Sequence, residues 1–218
     1  MNIAYTTLVG TDSYVLGALC LAESYRRLHL PHDFIFLINE NIKPEYKKII
    51  KDSGLGLSKE IPNIRYNSEE YTRMHSTTGK FEVFNLVEYD RVIFLDADTL
   101  LKKPIDSITK RPFWFTYYGE DNTRPYCMCF SITPSVELYN HIQTIIKDKT
   151  KNFLNDEDVF DYLGLETNTE FETRKNYILT HLFHDTLVYG AGGDYPKYWM
   201  GINVNEANIE TMVNEKLR

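Results

Sequence analysis

Three features of this 218-residue chain predict an α/β fold with a largely parallel central sheet flanked by helices. Apolar runs alternate with helical patterns from the first residue, the first hundred residues follow the order β-α-β-α-β, and the run Phe34-Ile35-Phe36-Leu37-Ile38 is continuous, as in a strand covered on both faces. The length suits one core and one domain. No repeat, low-complexity tract or linker divides the chain.

Taken in order, Asn2 to Thr7 reads as a strand. Tyr14, Ala18, Leu21, Tyr25 and Leu28 then fall at helical spacing, with Asp12 or Ser13 as the expected cap. Phe34 to Ile38 is the second strand, and Pro44 opens a helix running to about Lys51. The stretch from Asp52 to Ser76, with Gly54, Gly56 and Pro62, reads as irregular and superficial. A helical pattern over Thr78 to Val87 leads into the buried strand Arg91-Val92-Ile93-Phe94-Leu95. Further strands are expected at Phe113 to Tyr117 and Met128 to Ile132, and helices at Ser135 to Ile146 and Asp156 to Leu163.

A net charge of −7 argues against general attraction to nucleic acid or an acidic membrane surface. Any polyanionic ligand would need a metal or a few basic side chains. The three cysteines, Cys20, Cys127 and Cys129, have neither metal-ligand spacing nor an even count, so a reducing, cytoplasmic setting is expected. Neither a signal peptide nor a membrane span is legible, and the charged end Asn214 to Arg218 suggests the N-terminal part of a longer chain.

Asp96-Ala97-Asp98 follows the strand ending at Leu95, and ligands of open α/β sheets collect beyond the carboxyl ends of strands. Two carboxylates separated by one small residue can share a hard cation, Mn²⁺ or Mg²⁺, that leaves positions open for phosphate oxygens. Acidic residues also end strands for turn chemistry alone. The string Ile93 to Thr99 further resembles the opening motif of haloacid-dehalogenase-like phosphatases, with Asp96 as nucleophile. That motif normally lies near the N-terminus, and the later motifs of that family are not evident in order.

The segments together resemble glycogenin and its relatives, the family-eight retaining glycosyltransferases of GT-A fold, over roughly the first 165 residues. Ala4 to Leu8 with Asp12-Ser13-Tyr14 and Gly17-Ala18-Leu19 is similar to the opening strand and helix that cradle uridine. Thr78-Gly79-Lys80-Phe81 leading to Tyr89 through Leu100 is similar to the segment with a donor-binding lysine and the metal-binding pair. Asn155 to Phe160 resembles the helix start beside the transferred sugar, with Glu157 where the family usually has Gln.

This resemblance implies transfer of a hexose-type sugar from a UDP-sugar to a glycan or protein hydroxyl, with Mn²⁺ or Mg²⁺ bound. It implies Thr7, Leu8 and Tyr14 at the nucleobase, and Asp96, Ala97 and Asp98 at the metal and diphosphate. Asp156 is implied at sugar hydroxyls and Glu157 near the anomeric carbon. Arg73, Lys80 and Lys197 are candidates for diphosphate charge. A third metal ligand is expected at His184, with His181 and Tyr189 as alternatives, near Gly190, Gly192 and Gly193, which form either a phosphate-approaching loop or a plain turn. Tyr126-Cys127-Met128 departs from the family's sugar-contacting Asn-Ser-Gly-like stretch. A non-catalytic sugar-nucleotide-binding module is the remaining alternative.

Overall fold

The computed structural model describes residues 1–66, 72–118, 124–164, 179–181 and 203–217. Among the described residues, eight strands and five α-helices follow one another. They are β1 (Ile3–Val9), α1 (Val15–Arg26), β2 (Asp33–Asn39), α2 (Pro44–Asp52), β3 (Leu57–Ile61), β4 (Arg91–Leu95), β5 (Thr99–Leu101), β6 (Phe113–Tyr118), β7 (Arg124–Ile132), α3 (Val136–Lys147), α4 (Asp156–Leu163), β8 (Leu179–His181) and α5 (Ile209–Leu217). A six-stranded sheet has the order β3-β2-β1-β4-β7-β6. It is parallel from β3 through β4 and antiparallel at β7 and β6, so the sheet is mostly parallel.

Period-2 alternation splits the sheet into two buried faces. Ile3, Tyr5 and Val9 with Phe34, Phe36 and Ile38 face α1. Ala4, Leu8, Ile35, Leu37, Val92 and Phe94 face a cover formed by a 3₁₀ stretch over Thr72–Asn85, α3 and α4. The continuous apolar runs of β2 and β4 follow from this double cover.

Several expectations are corrected. The segment Asp52 to Ser76 is not wholly irregular, because Leu57-Ser58-Lys59-Glu60-Ile61 is β3, an edge strand paired to β2 with its side chains largely exposed. The helical pattern from Thr78 belongs to the 3₁₀ stretch. Neither Asp12 nor Ser13 caps α1. Asp12 Oδ1 accepts from Lys43 N at 3.1 Å, and the Ser13 and Thr11 hydroxyls share a hydrogen bond of 2.8 Å. Ser135 does cap α3, accepting from Leu138 N at 3.2 Å.

Helix α1 is buried from Val15 to Tyr25, as expected of a helix apolar all round. Its outer side, Leu16 and Cys20, packs on Met212 and Val213 of α5, and Arg27 ties the two helices through Asn214 Oδ1 at 2.7 Å. All three cysteines are buried and none is in a disulfide. Among the described residues, no helix is long and apolar enough to cross a membrane.

Candidate active site

The site lies where the chain changes direction across the sheet, since β1 connects to β2 on one side and pairs with β4 on the other. The β1–β4 register ends at Thr7 and Leu95, whereas β1–β2 pairing continues to Val9 and Ile38. Immediately beyond, Asp96 N donates to Met128 O at 2.8 Å. Thr99 N and Thr99 Oγ1 then donate to Asp96 O at 3.1 and 2.7 Å. The chain therefore turns within four residues. Ala97 is packed into the α1-side core, while Asp96 and Asp98 stand on either side of it.

Lys80 comes from the 3₁₀ stretch and is 7% exposed. Its Nζ lies 2.9 Å from Asp96 Oδ1 and 2.8 Å from Asp156 Oδ2, and it donates to the Cys127 carbonyl at 3.0 Å. Lys80 thus makes an ion pair with each carboxylate and a hydrogen bond to the carbonyl. Packing aims both partners. Phe81 and Phe160 meet at 5.2 Å between ring centroids, and Phe160 also contacts Phe115 and Phe130. Asp156 lies one helical turn before Phe160, on the same face of α4, so anchoring the aromatic delivers the carboxylate. Gly79 allows the approach, because a Cβ there would lie 2.6 Å from both Ile61 Cδ1 and Leu8 Cδ1.

Helix α4 begins with a reciprocal cap: Asn155 Oδ1 accepts from Asp158 N at 3.0 Å and Asp158 Oδ2 accepts from Leu154 N at 2.8 Å. Asp156, Glu157 and Asp158 fill the first turn, where the helix dipole favours negative charge. Asp156 is 2% exposed.

Lys80 pairs with Asp96 and Asp156, while Asp98 and Asp156 both repel Asp96. Burial pushes Asp96 up to about 7; Asp98 and Asp156 add to the rise and Lys80 opposes it. Burial works against the charged form of Lys80, but Asp156 and Asp96 outweigh it and hold the ammonium well above the usual lysine range. Because the folded chain holds a proton on Asp96 that the unfolded chain releases nearer 3.8, stability falls as pH rises between these values. In metal-free buffer, the melting temperature is expected to drop across that window. Asp96→Asn should flatten the profile, and Mn²⁺ should raise the melting temperature at its upper end. A wild-type profile equally flat without metal would contradict this charge balance.

A cavity of about 580 Å³ is lined by the β1–α1 connection (Gly10 to Ser13) and by Asn41, Asn63, Arg65, His75 and Ser76, with none of the cluster residues on its wall. The 3₁₀ stretch joins the two places: Lys80 lies four positions after Ser76, roughly 8 Å of 3₁₀ rise.

The structure therefore brings together Lys80, Asp96, Ala97, Asp98 and Asp156, with Glu157 next in sequence on α4. Thr7 and Leu8 lie inside β1, buried, just before its end at Val9. Tyr14 is partly buried, against the α1-side core and the α1–α5 contact. Arg73 is on the 3₁₀ stretch, its side chain outside the described residues. His184, Tyr189, Lys197 and the glycine cluster at Gly190, Gly192 and Gly193 also lie outside the described residues, while the backbone of His181 ends β8 opposite Thr99 of β5. Among the described residues, no group of three His, Cys, Asp or Glu side chains is placed to hold a metal.

Sequence reasoning missed that Lys80 is buried between two carboxylates and that Arg65 and His75 face a cavity. No sequence signal marks either. The contact through Cys127 is a backbone one, so it survives the departure from the family's Asn-Ser-Gly-like stretch.

No protein-family model matches the chain. It is 31% identical over 109 residues, 50% of its length, to inositol phosphorylceramide glucuronosyltransferase 1 of Arabidopsis thaliana, spanning 20% of that protein. It is 29% identical over 112 residues to UDP-glucuronate:xylan alpha-glucuronosyltransferase 1 of the same plant, spanning 17% of it. Among solved structures, the glycosyltransferase GlyE of Streptococcus pneumoniae TIGR4 superposes with a TM-score of 0.60 at 12% identity, over 99% of this chain and 63% of GlyE. Family-eight glycosyltransferases are its relatives. The fold is the GT-A fold, with the acidic pair at the end of its fourth strand. The chain spans a fifth or less of these two plant glycosyltransferases.

Proposed function

We propose that the chain binds a UDP-sugar together with Mn²⁺ or Mg²⁺ and transfers a hexose-type sugar, with retention, to a glycan or protein hydroxyl. The observation that carries this reading is the carboxylate cluster around Lys80 at the sheet's change of direction, one short 3₁₀ step from a cavity. The name of one plant relative includes UDP-glucuronate, which supports a UDP-linked donor.

The donor chemistry fits a divalent cation. Asp96 and Asp98 supply hard oxygens, and the repulsion of Asp96 by Asp98 and Asp156 is what a cation would relieve. A third ligand would come from the segment following β8, with His184 preferred. When bound, the metal offsets the charge that builds on the departing diphosphate.

The chain's own residues do the rest. Lys80 fixes Asp96 and Asp156 relative to each other, so that the cation site and the sugar site share one anchor. With Oδ2 held by Lys80, Asp156 has Oδ1 to accept a sugar hydroxyl. Tyr14 lies beside the base, the backbone at Thr7 and Leu8 meets its edge, and Arg73 and Lys197 add charge at the diphosphate. Glu157 faces the anomeric carbon as positive charge develops there.

Glu157→Ala is expected to lower turnover of the UDP-sugar while leaving UDP and Mn²⁺ affinity unchanged, because an interaction made mainly in the transition state appears in the rate. Glu157→Gln should keep substantial activity, since Gln suffices to position the sugar. Near-complete loss would instead make the carboxylate a nucleophile.

The function as a whole is tested by a panel of UDP- and GDP-sugars, UDP-glucuronate, UDP-galactose and UDP-glucose among them, scored with Mn²⁺ for binding and hydrolysis. Metal-dependent turnover of at least one UDP-sugar is expected. Release of phosphate from simple phosphomonoesters, with an aspartyl-phosphate on Asp96, would replace the reading with a phosphatase. Binding without turnover would make the chain a binding module.

A further inference from the structure

His75 lines the cavity in a defined protonation state. Its Nδ1 accepts a hydrogen bond from Tyr66 N at 3.1 Å, so the hydrogen of the neutral ring sits on Nε2, which is therefore a donor. Burial, with Arg65 adding to it, keeps the ring below the usual histidine range and hence neutral. Arg65 lines the same cavity and makes no ion pair or hydrogen bond among the described residues. Asn63 gives its Oδ1 to Asn39 Nδ2 at 3.1 Å, leaving amide hydrogens to the cavity side. Among the described residues the one carboxylate on the wall, Asp12, is occupied by Lys43, through N at 3.1 Å and Nζ at 3.3 Å. Arg65 and His75 thus offer donors to the cavity.

We propose, resting on the UDP-sugar reading above, that His75 and Arg65 select the nucleobase of the donor by donating to its carbonyl oxygens. Uracil presents two such acceptors on its ring. Adenine has no carbonyl oxygen; it accepts only at ring nitrogens, and its amino group would place donor against donor at the position of the uracil O4. His75 is half-buried and Arg65 exposed, so selection rests on the match of these donors to two ring oxygens and not on burial of unpaired groups. The 3₁₀ step from Ser76 to Lys80 sets the base wall and the carboxylate cluster apart by about the span that a ribose and its first phosphate bridge.

The test is calorimetric titration of UDP and ADP, with Mn²⁺, into the full chain and the variants His75→Asn, His75→Gln and Arg65→Ala. Asn keeps an acceptor for Tyr66 N but does not reach the position of Nε2, while Gln restores a donor there. Wild type should prefer UDP over ADP by at least about tenfold, the scale of one well-made hydrogen bond. His75→Asn and Arg65→Ala should each weaken UDP by about tenfold, leave ADP unchanged and keep the wild-type melting temperature, and His75→Gln should recover most of the loss. Wild-type UDP affinity in both His75→Asn and Arg65→Ala, or an equal loss for UDP and ADP with a lowered melting temperature, would overturn the inference while leaving the donor reading intact. If wild type binds no nucleotide at all, the donor reading fails and this inference with it.

Discussion

Asp96→Ala and Asp98→Ala are each expected to abolish metal-dependent turnover of the UDP-sugar while leaving the chain folded. A cation on a departing diphosphate supplies several kcal/mol of transition-state stabilisation, on the order of a thousandfold in rate. The two variants should differ in stability. Asp96 is ion-paired with Lys80, so its removal leaves Asp156 as that lysine's carboxylate partner, whereas removal of Asp98 leaves both pairs of Lys80 in place. Both relieve repulsion among the carboxylates, which offsets the lost contacts. Turnover and metal dependence measured on folded protein decide the matter: normal metal-dependent rates in both variants would remove the pair from the active site.

Lys80→Met carries the largest expected effect on stability. Its ammonium is the charge partner of Asp156, whose side chain is only 4% exposed. Removing one member of a buried pair strands the other, which costs about 3–5 kcal/mol, whereas replacing both members by neutral groups is often nearly harmless. Denaturant unfolding of Lys80→Met should therefore show a loss of that size, and the double variant Lys80→Met/Asp156→Asn should recover much of it. Recovery without activity would separate the lysine's structural part from the use made of Asp156 at the sugar. No loss in the single variant would mean that Lys80 is held by water rather than by the two carboxylates.

What could be read beforehand depended on how local the signal was. Strand β4 and the Asp96–Asp98 pair stood out because five apolar residues and two carboxylates are contiguous. The start of α4 was equally visible, since Asn155 and three acidic residues form a local cap. Strand β3 was hidden because Leu57-Ser58-Lys59-Glu60-Ile61 is an edge strand whose one buried residue is Ile61. Over the ten residues after Thr78, apolar spacing does not separate a 3₁₀ from an α-helix. Helix α5 left an indirect trace in α1, which is apolar on the side away from the sheet and so requires a second cover.

The site divided in the same way. Asp96, Asp98 and Asp156 were named from motif and resemblance, but the contact of Lys80 with two of them joins residues 80, 96 and 156, which only the folded sheet brings together. A lysine in a mixed-polarity segment reads as surface, and its burial depends on Phe81, Phe94 and Phe160 packing around it. Arg65 and His75 were passed over because the segment holding them lacks periodicity, and their shared cavity is created by the ends of β1, β2 and β3.

The most direct test of the central claim is calorimetric titration of UDP into the chain with Mn²⁺ and, separately, with EDTA. Saturable binding with Mn²⁺ that weakens at least tenfold in EDTA, and that Asp96→Ala removes, is the predicted result. UDP binding of equal strength with and without metal, or none under either condition, would contradict a metal-assisted nucleotide-sugar site at Asp96 and Asp98.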